Sequence, residues 1–187
     1  YDHDSSAGTP CVTVAAACGA GFEQTTVPTV TTNRVCTMCS AGEYCAGGTA
    51  SSVACVVGTT YDHDSSAGTP CVTVAAACGA GFQQTAAPTA TTNRVCMSCT
   101  AGTYCAGGTA PSVACVVGTT YDHDSSAGTA CVAVAAACAP GTYQSAAPTT
   151  VVNRVCTSCS VGDYCAGGTT PRRVCFAGTW DHDGNPA

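Results

Sequence analysis

The residues with the greatest chemical potential in this chain are thiols. Eighteen cysteines stand among 187 residues in three frames of six: Cys11, Cys18, Cys36, Cys39, Cys45 and Cys55; Cys71, Cys78, Cys96, Cys99, Cys105 and Cys115; Cys131, Cys138, Cys156, Cys159, Cys165 and Cys175. Thiols can oxidise in pairs, hold zinc or exchange disulfides, and Cys36-x-x-Cys39 has the spacing of a zinc knuckle or a redox pair. Six thiols per frame, with no βαβ pattern around the pair, weigh against both. So dense a cysteine content in small modules reads as a disulfide scaffold made in an oxidising compartment.

Carboxylates are the second reactive set. Asp2-His3-Asp4-Ser5-Ser6-Ala7-Gly8 recurs at 62 and 122, and Asp181-His182-Asp183-Gly184-Asn185 repeats its opening. Alternating oxygen ligands begin calcium loops, which makes Asp2, Asp4, Asp62, Asp64, Asp122 and Asp124 candidate calcium ligands. The sixth position holds Ala7 rather than Gly, and the twelfth holds Thr13 rather than Glu. An Asx-type turn is therefore the preferred reading, with the carboxylates accepting backbone N–H groups where one module passes into the next. Otherwise no cofactor is expected. Arg34, Arg94 and Arg154, each in Asn-Arg-Val-Cys, are expected to pair with Asp2 or Asp4 or with their equivalents. His3, His63, His123 and His182 lie in the repeating turns, and no nucleophile elbow or base arrangement accompanies the many Ser and Thr, so no enzymatic activity is expected.

The elements that must position these groups come in copies. Residues 1–60 recur at 61–120 with nine substitutions, a looser copy fills 121–179, and 180–187 reads as the start of a fourth repeat. A fixed period with a fixed cysteine frame marks a stack of small modules. There is no Leu, Ile or Lys, so the apolar content rests on Ala, Val, Cys and a few aromatics. Such a module falls short of offsetting its own conformational entropy, and bridges must supply the difference. The motif Cys-x-x-Gly with an aromatic one to three residues behind the Gly occurs nine times, as at Cys18–Gly21 with Phe22. Its Gly permits a tight turn and its aromatic can cover a disulfide. Gly, Pro and Thr punctuate every window, so short two-stranded ribbons are predicted; Val12–Ala17 alone is ambiguous between a strand and one helical turn. The fold class is thus small and disulfide-rich, mostly irregular with short β-ribbons, in an elongated tandem-repeat rod.

Net charge is −6, with no basic cluster beyond Arg172-Arg173, which argues against nucleic acid. No apolar run approaches the roughly 20 residues of a membrane span. Ser and Thr number 44, dense beside Pro28, Pro88 and Pro148, whereas every Asn precedes Arg or Pro and no N-glycosylation sequon exists. The mucin-like composition marks O-glycosylation candidates at Thr25, Thr26, Thr29, Thr31, Thr32, Thr85, Thr89, Thr91, Thr92, Thr149 and Thr150, although Thr also suits an extended, exposed loop on its own account.

The stretch Cys138-Ala-Pro-Gly141-Thr-Tyr143, followed by Asn153-Arg154-Val155-Cys156-Thr-Ser-Cys159-Ser-Val-Gly162-Asp-Tyr164-Cys165, resembles the cysteine-rich repeats of tumour necrosis factor receptors. The stretch Gly-x-Tyr-Cys-Ala-Gly-Gly-Thr, ending in Cys175-Phe-Ala-Gly178-Thr, is similar to the ephrin-receptor-like, EGF-like modules of secreted algal and protist proteins. All three copies share the resemblance. It implies a ladder of disulfides with little other core, and a first bridge Cys18 with Cys36, hence Cys78 with Cys96 and Cys138 with Cys156. Cys39, Cys45, Cys55 and Cys71 pair either nested, 39 with 71 and 45 with 55, or crossed, 39 with 55 and 45 with 71; Cys99, Cys105, Cys115, Cys131, Cys165 and Cys175 follow suit. Either choice sends a bridge across each repeat boundary, and the nested scheme leaves Cys11 and Cys159 to partners outside this stretch. A closed alternative pairs Cys11 with Cys18 within each repeat.

Together these features point to an extracellular protein, secreted or at the cell surface, that self-associates into filaments. Such a protein would form or decorate a fibre, wall or surface appendage and carry covalent O-glycans, and the resemblance implies a microbial eukaryote as its source. The alternative is a receptor-like ectodomain that binds a protein ligand through the positions varying between the first two copies: 23, 26, 27, 30, 37, 38, 40, 43 and 51.

Overall fold

The computed structural model describes residues 1–176 and Thr179; the fourth-repeat opening at 180–187, with Asp181, His182 and Asp183, lies outside the described residues. Regular structure among the described residues is entirely β, in two-stranded sheets. The first repeat contributes β1 (Phe22–Thr26) with β2 (Val35–Met38), and β3 (Glu43–Tyr44) with β4 (Val53–Ala54). Its end pairs with the start of the second repeat through β5 (Thr60–Tyr61) and β6 (Val72–Thr73). The series continues as β7 (Phe82–Ala86) with β8 (Val95–Ser98), β9 (Thr103–Tyr104) with β10 (Val113–Ala114), and β11 (Thr120–Tyr121) with β12 (Val132–Ala133). It ends with β13 (Thr142–Ala146) paired to β14 (Val155–Ser158) and β15 (Asp163–Tyr164) paired to β16 (Arg173–Val174).

Local chemistry explains these ribbons. Aromatic, β-branched and Gln residues in Phe22–Thr26 favour an extended chain, and β1 runs antiparallel to β2 with Gln24 opposite Cys36 and an irregularity before Thr26. The intervening loop is closed by Thr29, whose N–H donates to the Thr32 carbonyl at 3.0 Å while its hydroxyl accepts the N–H groups of Thr31 and Thr32 at 3.2 and 3.0 Å. The ambiguous Val12–Ala17 is neither strand nor helix, and its counterparts in the second and third copies become strand only in their opening residues, as β6 and β12.

The core is made of sulfur. Among the described residues, eight of the eleven buried apolar residues are cysteines, joined by Ala67, Ala127 and Val74, and the largest fully buried side chains are Cys45, Cys105 and Cys165. Aromatics stand outside this core, with Phe22 36% and Phe82 45% exposed. Each repeat holds the bridge that the resemblance implied, Cys18–Cys36, Cys78–Cys96 and Cys138–Cys156.

The remaining pairs correct both arrangements expected from the sequence. Cys39 joins Cys45 and Cys55 joins Cys71, with Cys99–Cys105, Cys115–Cys131 and Cys159–Cys165 following the same rule. The physical reason is a tight turn after Cys39. Glu43 N donates to the Ser40 carbonyl at 3.2 Å, Gly42 takes a φ of 87°, and the chain folds back far enough to bring the Cys39 and Cys45 Cα atoms to 6.6 Å. Cys159 therefore pairs locally instead of waiting for a distant partner, and Cys175 is a free thiol, as is Cys11. A closed Cys11–Cys18 pair is excluded because Cys18 is bridged to Cys36. The expected bridge across each repeat boundary is present, as Cys55–Cys71 and Cys115–Cys131.

Compactness does not follow the sequence period. The chain divides into one unit comprising Tyr1–Ala76 and Thr85–Val95, and a second comprising Ala77–Gln84 and Cys96–Ala187. The boundary between repeats one and two lies inside the first unit, and that between repeats two and three inside the second.

One glycine is constrained more than any turn requires. Gly47 has a φ of 84°, and a Cβ there would stand 2.6 Å from the Cys18 carbonyl oxygen; Gly107 and Gly167 repeat this against Cys78 and Cys138. Gly47→Ala should cost about 2 kcal/mol or more in denaturant unfolding, from the strained backbone alone. The paired change Cys55→Ala with Cys71→Ala opens a loop of 16 residues and should cost about 3 kcal/mol. Non-reducing peptide mapping should recover Cys39 linked to Cys45, never to Cys55 or Cys71.

Candidate functional site

The seam between repeats gathers the residues that the sequence singled out. In the first unit, β5 and β6 align Thr60 with Thr73 and Tyr61 with Val72, and Val74 N donates to the Thr59 carbonyl at 2.8 Å. The chain between these strands is the Asp-His-Asp turn. Its Asp62 is only 3% exposed, and its carboxylate accepts the Gly42 N–H at 3.0 Å on Oδ2 and the Asp64 N–H at 3.3 Å on Oδ1. The Asp62 N–H donates to the Ala90 carbonyl at 2.8 Å, and Ala67 O accepts the Cys45 N–H at 2.8 Å. One turn of the second repeat is thereby tied to the first repeat's β3 turn and to its own hairpin loop.

The second unit contains the same construction. Asp122 is 4% exposed, accepts the Gly102 N–H at 2.9 Å and donates its own N–H to the Thr150 carbonyl at 2.8 Å, while Ala127 O accepts the Cys105 N–H at 2.7 Å. A buried carboxylate satisfied by backbone donors is stable where an unpaired one would be costly. The Gly at 42 and 102 leaves this space open: an added Cβ would lie 3.1 Å from the Ala90 Cβ and 2.8 Å from the Thr150 Oγ1.

The second acid of each turn is a local brace. Asp64 Oδ1 accepts the Ser66 N–H at 3.0 Å and the Thr69 hydroxyl at 2.8 Å, and Ser65 adopts a φ of 59°. Asp4 and Asp124 repeat these bonds. The Thr hydroxyl first, and the Ser N–H second, hold Asp4, Asp64 and Asp124 below the usual carboxylate range, with His63 and His123 adding a smaller electrostatic contribution at Asp64 and Asp124. These bonds are those of an Asx-type turn. Among the described residues, Asp2, His3 and Asp4 alone bring three candidate metal-ligand atoms within 4.8 Å of one another. At the interior seams Asp62 and Asp122 spend their carboxylates on Gly42 and Gly102 instead.

The arginines take a different place from the one expected. Arg34, Arg94 and Arg154 donate through Nη1 to the carbonyls of Ala15, Ala75 and Ala135 at 3.2, 3.2 and 3.1 Å, not to the turn aspartates, whose oxygens serve nearby N–H and O–H donors. Arg172 makes the Arg–carboxylate pair among the described residues, with Asp163 at 3.1 Å. Sequence reasoning also passed over Asn33, Asn93 and Asn153. Their Oδ1 atoms accept the N–H groups of Ala15, Ala75 and Ala135 at 2.8 to 2.9 Å and those of the following Arg at 2.7 to 2.8 Å, pinning the alanine segment. The signal was available: Asn-Arg-Val-Cys is unchanged in all three copies while the loop before it varies.

Cys36 and Cys39 belong to different bridges, so Cys-x-x-Cys is neither a redox pair nor a zinc site. The candidate threonines separate by hydroxyl environment. Thr25 and Thr85 bond the Val35 and Val95 carbonyls, Thr29 with Thr32 and Thr89 with Thr92 form hydroxyl pairs at 2.6 Å, and Thr149 accepts the N–H groups of Val151 and Val152. Thr26 and Thr150 are half-buried, whereas Thr31 and Thr91 are exposed at the loop tip. Beside the first seam, a shallow cavity of about 320 Å³ lies among Gly21, Phe22, Met38, Ser66, Ala67 and Gly68.

No protein-family model and no curated protein matches the chain. Its class rests on its own architecture: tandem disulfide-bridged β-ribbon units, a cysteine-rich repeat protein of extracellular or secreted type. No helix among the described residues is long and apolar enough to cross a membrane.

The seam makes two measurable predictions. Asp62→Ala should destabilise the chain by about 2 kcal/mol in urea unfolding by leaving the Gly42 N–H buried and unpaired, and Asp2→Ala by less than half of that. In acid, the bracing turns should persist as pH falls through the ordinary carboxylate range and weaken only below it, since a depressed folded-state pKa gives stability that is lost on protonation. An NMR titration of the Asp64 carboxyl should show this, and Thr69→Val should return its midpoint toward the ordinary value.

Proposed function

We propose that the chain is an extracellular structural repeat protein, without enzymatic activity, whose seams carry it into or onto a fibre, wall or surface appendage. The observation that supports this best is the seam itself: the same covalent bridge and the same buried aspartate recur at both interior repeat boundaries. A joint that repeats unchanged gives every step the same connection, and repeated heterologous contacts that do not close generate filaments. The resemblance of the cysteine frame to tumour necrosis factor receptor-like and ephrin-receptor-like repeats supports reading the modules as structural units. O-linked glycans fit the exposed hairpin loops, with Thr31 and Thr91 the most available acceptors and no equivalent at Val151.

A second reading, a receptor-like ectodomain, draws on the cavity beside the first seam. Met38, one of its lining residues, is Ser98 in the second copy, so this surface differs between repeats.

Electron microscopy of the secreted protein under non-reducing conditions, with intact-mass analysis, tests the proposal. Filaments with added mass in hexose-sized steps are expected, and Thr31→Ala with Thr91→Ala should remove part of that mass. A soluble monomer of bare mass would overturn the fibre and glycan readings and favour the receptor.

A further inference from the structure

The bridges of a repeat differ in how far they stand from solvent. Cys45, Cys105 and Cys165 are wholly buried, Cys55 and Cys115 nearly so, and their partners Cys39, Cys99, Cys159, Cys71 and Cys131 are half-buried. The first bridge is different. Cys18, Cys78 and Cys138 are buried, but Cys36, Cys96 and Cys156 are exposed, on the strands β2, β8 and β14 whose every residue is exposed. Among the described residues no other bridged cysteine is exposed. Access to the attacked sulfur governs the rate of thiol–disulfide exchange, so this bridge is the one a thiol in solution reaches first. Arg34, Arg94 and Arg154 stand two residues before these cysteines, in a chain with only five cations, and positive charge there favours an attacking thiolate.

Opening this bridge does not release the chain around it. The Cys18 carbonyl accepts the Gly48 N–H at 2.7 Å, and Cys36 keeps its place opposite Gln24 in the β1–β2 ribbon. Three residues before Cys18, Ala15 is gripped at both backbone groups: its N–H donates to Asn33 Oδ1 at 2.9 Å, and its carbonyl accepts Arg34 Nη1 at 3.2 Å. The clamp joins nearly the same points of the chain as the bridge does. It therefore closes the same loop of 18 residues without sulfur. The third repeat has the same arrangement, with Gly168 on the Cys138 carbonyl at 2.7 Å and Asn153 and Arg154 on Ala135 at 2.8 and 3.1 Å. Two thiols held in this way reclose with little further loss of chain entropy.

We propose that Cys18–Cys36, with Cys78–Cys96 and Cys138–Cys156, is a reversible thiol-exchange site that accepts a small thiol such as glutathione at Cys36, Cys96 and Cys156 while the module stays folded. The glutathione thiolate attacks Cys36 Sγ, the bond to Cys18 breaks, and its electron pair leaves on the Cys18 sulfur, which takes a proton from solvent. Cys36 then carries a mixed disulfide. Attack by Cys18 on Cys36 Sγ expels the glutathione and restores the bridge, whereas attack by a second glutathione on the first one's sulfur frees Cys36. In the second course two glutathiones are oxidised to one disulfide and one protein bridge is reduced to two thiols. Exposed bridges belong to the labile, regulatory class. Nothing in this exchange requires a fibre.

Timed reduction of the full chain tests this. The free thiols are blocked with N-ethylmaleimide, the chain is exposed to reduced glutathione, and samples are quenched with isotope-labelled N-ethylmaleimide and mapped by tandem mass spectrometry. Label should enter Cys18, Cys36 and their counterparts about tenfold faster than Cys39, Cys45, Cys55 or Cys71, with glutathione adducts on Cys36 and not on Cys18. Amide hydrogen exchange at Gly42 and Asp62 should meanwhile stay as slow as in the fully bridged chain, and oxidised glutathione should restore the same three pairs. Asn33→Ala should slow reclosure of Cys18–Cys36 about tenfold and leave that of Cys138–Cys156 unchanged. Equal or earlier labelling of the other bridges, adducts on Cys18, loss of protection at Gly42, or reclosure indifferent to Asn33→Ala would each overturn the proposal.

Discussion

A chain without Leu or Ile must find another way to exclude water from its centre, and here cystine does so. Cys45, Cys105 and Cys165 are wholly buried, and among the described residues the other buried apolar side chains are five more cysteines, two Ala and one Val. Disulfides both fill the interior and constrain the unfolded state, so two costs of a small module are met by one kind of residue. The exposed valines and the half-open aromatics follow from this. With sulfur at the centre, the remaining apolar side chains have no larger core to join.

The second organising feature is the displacement between repeat and unit. Each interior boundary, marked in sequence by Tyr-Asp-His-Asp, sits within a compact unit and not between units. Covalent bridge, strand pair and buried aspartate all act at that boundary, across Cys55–Cys71, β5–β6 and Asp62–Gly42 in the first unit. A repeat considered alone, from 61 to 120, would therefore lack half of two seams. The structural building block is the seam with its two flanking halves.

Much of this was legible in the residues. Gly, Pro and Thr punctuation pointed to the short ribbons, and the Asp-x-Asp spacing pointed to the Asx-type bonds found at Asp2, Asp62 and Asp122. The Cys39–Cys45 bridge was not legible, because nested and crossed schemes both assume that nearby cysteines look outward; the fold-back at Ser40–Glu43 depends on Gly42 adopting a left-handed φ while its N–H is drawn to Asp62, 20 residues away. The arginines misled for a related reason. Charge complementarity pointed at the aspartates, but short Asx and Thr–Asp bonds satisfy those carboxylates first, and Arg34 is left to a backbone carbonyl. Asn33 was overlooked because an amide that pins a segment of alanines leaves no charge pattern or apolar periodicity to read.

The bridges close loops of only 6, 16 and 18 residues. For near-identical copies this shortness bears on how the chain is made. At ribosomal speeds of ~5–20 residues per second, each cysteine meets its proper mate within about four seconds of entering an oxidising lumen, before the equivalent cysteine of the next copy has entered it. Vectorial oxidation would thus keep the copies in register during synthesis, when sequence similarity alone gives a thiol no means of distinguishing its own repeat from the next.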